Sequence, residues 1–241
     1  MKENDDCCDF KVHIIGLPRS GTTAIAEQLA YKLNAPLLNE PIHIWSNGFT
    51  QNFPCKKSST EALKRLWRSE RLKKYFGSRF VEKTPYSLFM ANNFHKIFDD
   101  FRIFIVINRD IGSINRSLYK KVLKNKDPNH GNSIYLLHDL KVKIEKVKNI
   151  FLTLGFVSGF IALFRYQYWN KRKTNTIKNL KSKSEIQNHT MLMLKYLRGI
   201  RVSKRHHIIE VEYSDFKNNN SKIITELANN VIEITREFKG K

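Results

Sequence analysis

Acidic residues are scarce in this chain: 22 Asp plus Glu stand against 43 Lys plus Arg, a formal net charge of +21. That imbalance alone selects no partner. A field of this sign attracts nucleic acid, acidic lipid, a nucleotide or an acidic acceptor alike, and a lysine-rich solubilising surface produces the same number. Cysteine is nearly absent, with Cys7 and Cys8 adjacent and Cys55 alone. An odd count with a vicinal pair supports no disulfide framework, fits a reducing compartment and offers no Cys/His spacing for zinc. The apolar stretch 150–164 falls short of the roughly twenty residues that span a bilayer. Gly155 and Gly159 interrupt it, and it reads as a buried helix or helical hairpin, with membrane contact the less favoured alternative. The polar opening MKENDDCCDF is neither a secretory signal nor an anchor, so a complete chain is expected to be cytoplasmic. Repeats are also lacking. At 241 residues the expectation is one α/β domain spanning 1–241, with a variable, lysine-rich insertion at about 125–205 that covers the site or meets a membrane.

What is present is organised around Phe10 to Ala30, FKVHIIGLPRSGTTAIAEQLA. Val12, Ile14, Ile15 and Leu17 are β-prone, Gly16 and Pro18 break the strand, and small residues follow where a helix begins. The free N–H groups of a helix's first turn and its dipole favour a bound phosphate, aided here by Ser20, Thr22 and Thr23 around Gly21. GLPRSGTT has the two-glycine spacing of a nucleoside-triphosphate P-loop, yet Thr22 stands where that motif carries lysine. The cation is Arg19 instead, inside the loop, where a guanidinium forms paired hydrogen bonds to phosphate oxygens.

Three further stretches complete the pattern. PLLNEP, 36–41, is a brief apolar segment ending on Glu40, and RFVEKTP, 79–85, is a short strand ending at Lys83. FRIFIVINRDIGSINRSLYKK, 101–121, is a continuous apolar strand with Arg109 at its exit and Ser117 about two helical turns beyond. Helices are expected at 59–75, 134–148, 186–197 and 223–238, and a last buried strand at 207–211 is followed by Tyr213. Alternation of strands and helices predicts a three-layer α/β fold of P-loop type, with a mainly parallel central sheet and helical insertions.

PRSGTT resembles the 5′-phosphosulfate loop of sulfotransferases that use 3′-phosphoadenosine 5′-phosphosulfate (PAPS). EPIHIW, 40–45, resembles a Glu-Pro-x-x-His-x-Trp stretch of carbohydrate sulfotransferases with shortened spacing. VEKTP resembles their Lys-(Thr/Asp)-Pro element. Arg109 and Ser117 match the family's 3′-phosphate element, and IIEVEYSDF, 208–216, resembles its Tyr-Glu-Asp-Leu element with Ser214 in place of Glu. The motif style is nearest to carbohydrate and protein-tyrosine sulfotransferases. The resemblance covers 10–121 well and 208–238 loosely, and the Gly-x-x-Gly-x-Trp-Lys segment of many soluble members is missing.

What the resemblance implies is sulfonate transfer from PAPS to a hydroxyl acceptor on a carbohydrate or a protein tyrosine, without a metal and with no specific nucleic-acid partner; an acidic glycan or protein is among the acceptors allowed. Arg19, Lys83 and Glu40 would be catalytic. Arg19, Ser20, Gly21, Thr22, Thr23, Arg109, Ser117 and Tyr213 would hold the nucleotide. Two alternatives share the fold: a small-molecule kinase needing ATP and magnesium, and an inactive basic protein that binds polyanions.

Overall fold

The computed structural model describes residues 9–39, 63–64, 67–68, 74, 77–84, 87–88, 90, 93–124, 151, 160, 182–200, 202–204 and 206–240. Among the described residues, five strands form one parallel sheet: β1 (Lys11–Gly16), β2 (Leu37–Asn39), β3 (Phe80–Lys83), β4 (Ile103–Asn108) and β5 (His207–Glu212). Their spatial order is β2-β3-β1-β4-β5. The described helices are α1 (Thr22–Lys32), α2 (Phe94–Ile97), α3 (Ile111–Lys124), α4 (Lys183–Arg198), α5 (Tyr213–Asn218) and α6 (Asn220–Lys239). The α/β expectation with a parallel sheet is met. The helix expected at 134–148 and the stretch 150–164, apart from Phe151 and Phe160, lie outside the described residues.

Burial explains why β1 and β4 are apolar almost throughout. Side chains alternate across a strand, so a sheet covered on both faces needs apolar residues at consecutive positions. Val12 and Ile14 of β1, with Ile103, Ile105 and Ile107 of β4, pack against Ile25 and Leu29 of α1 and Leu227 and Val231 of α6. Ile15, Phe104 and Val106 face the other way, toward Ile114 of α3 and Met193 and Leu197 of α4. β5 departs from expectation. It was expected to be buried, but it is the sheet's edge strand, and Val211 alone among its residues is buried. An edge strand has a neighbour on one side only, which leaves Ile208, Glu210 and Glu212 open to solvent.

The strand order places a topological switch at the centre. The chain leaves β1 through α1 toward β3 and β2, and leaves β4 through α3 toward β5, on opposite faces of the sheet. Diverging connections open a crevice at the carboxyl ends of the two strands, where ligands of open α/β sheets bind. The loop 17–21 and Arg109 both lie there.

Beneath the crevice runs a buried polar line. His13 of β1 lies beside Glu82 of β3, its register partner, with Nδ1 2.9 Å from Glu82 Oε2. Arg102 Nη1 stands 2.9 Å from His13 Nε2. Arginine only donates, so Nε2 accepts and the imidazole proton sits on Nδ1, donated to Glu82. Arg102 then donates to Asp100 through Nε at 2.9 Å and Nη2 at 3.2 Å, Lys11 pairs with Asp100, and Thr84 donates to Glu82. Phe98 and Trp67 face the Arg102 guanidinium at 4.2 and 4.9 Å, which adds cation–π attraction to a charge with little water near it. Burial holds the His13 pKa below its ordinary value, partly opposed by the hydrogen bond to Glu82. Asp100 is held well below the carboxylate range: burial would raise it, but Arg102 and Lys11 outweigh that.

Two outcomes follow. Removing the carboxylate strands two buried donors, the His13 Nδ1–H and the Thr84 hydroxyl, so Glu82→Ala should cost about 2 to 5 kcal/mol in urea unfolding; a loss below about 1 kcal/mol would contradict the role given to the network. His13 is neutral when folded and titrates at its ordinary value when unfolded, so the unfolded state takes up the extra proton as pH falls. Stability should therefore drop as pH is lowered from about 7 to about 5. His13→Gln should flatten that dependence, and an unchanged slope would contradict it.

Candidate anion-binding site

At Gly16 the chain leaves β1 and folds sharply back. The Ser20 N–H donates to the Leu17 carbonyl at 3.0 Å, and both Arg19 (φ +71°) and Gly21 (φ +91°) occupy the left-handed region. Glycine is required at both ends of this turn. A Cβ on Gly16 would collide with Ser20 Oγ and Thr22 Cγ2, and one on Gly21 would overlap the Tyr213 ring. The loop is therefore clamped between its own start and the first residue of α5.

The turn presents an uncapped helix start. Gly21 supplies no side chain to the first turn of α1, no acidic residue lies in that turn, and the first helical bond is Ile25 N–H to the Gly21 carbonyl at 3.2 Å. The N–H groups of Thr22, Thr23 and Ala24 have no helical acceptor at their backs and carry the positive end of the dipole. Beside them Ser20 is fully buried, and its Oγ has no hydrogen-bond partner. A buried hydroxyl left unmatched costs about 1 to 3 kcal/mol, so an oxygen-rich anion at this point would satisfy both the hydroxyl and the amides.

Two arginines close the crevice. Arg109 leaves the end of β4, donates from Nη1 to the Arg19 carbonyl at 2.6 Å, and stacks its guanidinium carbon 4.3 Å from the Tyr213 ring. Arg19 in turn donates from Nε to Ser117 Oγ of α3 at 3.0 Å. Each guanidinium has five N–H donors, so both keep terminal N–H groups for a ligand. Asp110 does not compete for them. It caps α3, its carboxylate accepting the Ser113 N–H at 2.7 Å, and the hydrogen bonds from Ser113 hold its pKa below the ordinary value.

Six residues singled out from the sequence thus come together: Arg19, Ser20, Gly21, Arg109, Ser117 and Tyr213, drawn from four separate elements. Thr22 is buried against Gly16, and Thr23 is exposed on the first turn of α1. Lys83 is buried at the tip of β3, in register with Ile14 of β1 and Asn39 of β2, one strand from the loop. Glu40 lies outside the described residues. The sequence reading missed His13 and Arg102. The available signal was a polar residue inside apolar β1 and a charged one immediately before apolar β4, each of which, once buried, demands a partner. A cavity of about 720 Å³ also opens beside the loop, sharing Leu17 and Arg109 with it.

No protein-family model matches the chain, and no curated protein does. Among solved structures, the crystal structure of an uncharacterized protein from Eubacterium ventriosum ATCC 27560 aligns over 95% of this chain and 99% of its own, at 11% identity and a TM-score of 0.32. So distant a likeness says nothing of the site.

The clamp on the loop is open to test. Gly21→Ala places a Cβ both in the left-handed region and against Tyr213, and should destabilise the protein by more than about 1 kcal/mol. Combining it with Tyr213→Ala should recover part of that loss. Equal melting temperatures for the wild type and Gly21→Ala would contradict the packing described.

Proposed function

We propose that the chain is a sulfotransferase that moves a sulfonate group from PAPS to a hydroxyl acceptor. The observation that carries this reading is the Arg109–Arg19–Ser117 chain across the crevice. On this reading one anion would sit at the start of α1 and a second near Arg109 and Ser117, as a nucleotide phosphorylated at both 5′ and 3′ positions requires. A triphosphate-binding loop would be expected to carry lysine where Thr22 stands. The unmatched Ser20 hydroxyl and the bare first turn fit a 5′-phosphate.

When bound, PAPS supplies an activated sulfonate whose bond to the 5′-phosphate oxygen breaks as the acceptor oxygen bonds to sulfur. The residues have divided tasks. Arg19 and the first-turn amides of α1 stabilise charge growing on the leaving phosphate, an arrangement that requires little reorganisation during reaction. Arg109 and Ser117 hold the 3′-phosphate, and the Tyr213 ring supports the Arg109 guanidinium. Lys83 neutralises the transferring group, and Glu40 takes the acceptor's proton.

Transfer of labelled sulfonate to a panel of carbohydrate, phenol and peptide-tyrosine acceptors tests the reading. Arg19→Ala should lower turnover by about 10²- to 10³-fold, the usual cost of removing one preorganised donor, and should weaken donor binding. Glu40→Gln should lose turnover while retaining nucleotide affinity. Loss of nucleotide binding in the Glu40 variant would remove its base role, and transfer undiminished in Arg19→Ala would overturn the assignment.

A further inference from the structure

Lys83 is the last residue of β3 that the sheet holds on both sides, in register with Ile14 of β1 and with Asn39 of β2. Beyond it, among the described residues, no strand pairing fixes the chain. Side chains take over. The Thr84 hydroxyl turns back to donate to Glu82, and the Thr84 carbonyl accepts both the Ser87 N–H at 3.0 Å and the Ser87 hydroxyl at 2.6 Å. Glu82, Thr84 and Ser87 are fully buried, so no water competes for these bonds.

Glu82 receives a separate donor on each carboxylate oxygen, the Thr84 hydroxyl on Oε1 and the His13 Nδ1–H on Oε2. His13 accepts in turn from Arg102, so Thr84 is tied through Glu82 to the middle of β1 and the foot of β4. Alternation along β3 sets what this does to the lysine. Phe80 belongs to the apolar layer of α4 and Val81 to that of α1. Glu82 and Thr84 therefore share the face of Phe80, and Lys83 takes the face of Val81, on which α1 packs. Lys83 stands level with Ile14, two residues before Gly16 and on the side of the sheet where the anion loop runs into α1, while the residue on either side of it is anchored on the opposite face. A lysine stem is flexible, so where its ammonium is delivered depends on how the backbone presents it. Twisting this strand end would break the bond from Thr84 to Glu82 and strand a buried donor.

We propose that Thr84 is a positioning residue: its hydroxyl, held by the His13–Glu82 pair, fixes the place of Lys83 beside the anion loop. The hold rests on the hydrogen bonds alone. Its use in catalysis rests on the sulfonate-transfer reading, in which Lys83 neutralises the transferring group. The buried polar line beneath the crevice then has a task besides register, since it carries order from the middle of the sheet to a cation at the strand tips.

Acetylation of the full chain by acetic anhydride, read residue by residue in the mass spectrometer, tests the hold without any nucleotide. Lys83 is buried and should react slowly, and half-buried Lys64, outside the polar line, serves as reference. Thr84→Val keeps the shape of the side chain and removes its donor; because reaction follows local opening, it should speed labelling of Lys83 about tenfold and leave Lys64 unchanged. Thr84→Ser restores the hydroxyl and should return the slow rate. Equal labelling of Lys83 in the wild type and Thr84→Val, an acceleration that Lys64 shares, or one that Thr84→Ser retains would overturn the proposal. Breakdown of labelled PAPS, with the acceptor panel and with water alone, then tests the catalytic use. Thr84→Val should lower kcat by about ten- to a hundredfold, the scale of a misplacement of about 1 Å, with a smaller effect on KM. In a Lys83→Met background it should cost nothing further. A loss that persists in full there would contradict action through Lys83. No PAPS breakdown by the wild type, beside hydroxyl-dependent protection of Lys83, would remove the sulfonate-transfer reading and leave the hold on Lys83 standing.

Discussion

The hydrogen bond from Arg109 to the Arg19 carbonyl joins the two halves of the crevice. β1 and β4 are neighbours in the sheet, but their chains leave on opposite faces, and nothing in the sheet's own hydrogen bonding fixes the loop after one strand relative to the exit of the other. This contact does so. It also sustains the left-handed turn at Arg19, a conformation that a non-glycine residue keeps only when its surroundings hold it. With the turn held, the first amides of α1 stay uncapped and directed at the crevice, and Arg19 extends to Ser117. The geometry of the candidate site is thus a consequence of where two neighbouring strands end.

Beneath it, the His13–Glu82–Arg102 line ties β1 to β3 and to the residue that leads into β4. A one-residue slip between β1 and β3 would carry His13 to the opposite face from Glu82 and leave both unsatisfied. Apolar contacts alone would penalise such a slip less, because both faces of the sheet are apolar and a shifted isoleucine still finds a core. Buried charges here add register to a core whose stabilisation comes mainly from the two apolar layers.

Much of the framework was legible because β1 and β4 are continuous apolar runs ending on Gly16 and Arg109, and α6 carries an unbroken helical period. The α4 boundaries were found within three residues for the same reason. β5 was misjudged as buried because Ile208 and Ile209 read as core, and edge position depends on strand order, which no local pattern encodes. The loop residues were legible as a group, since small residues, glycine and arginine between strand and helix have few other uses. The environment of Lys83 was not, because its burial depends on β1 and β2 lying on either side.

The sulfonate-transfer account depends most directly on which nucleotide the crevice accepts. Binding stabilises a folded protein in proportion to ligand occupancy, so the decisive measurement is the thermal stabilisation of the full chain by 3′-phosphoadenosine 5′-phosphate beside AMP, ADP and ATP with magnesium. The account predicts a shift specific to the 3′,5′-bisphosphate that disappears in Arg109→Ala. A shift with ATP and magnesium alone, or none with any of the four nucleotides, would contradict it.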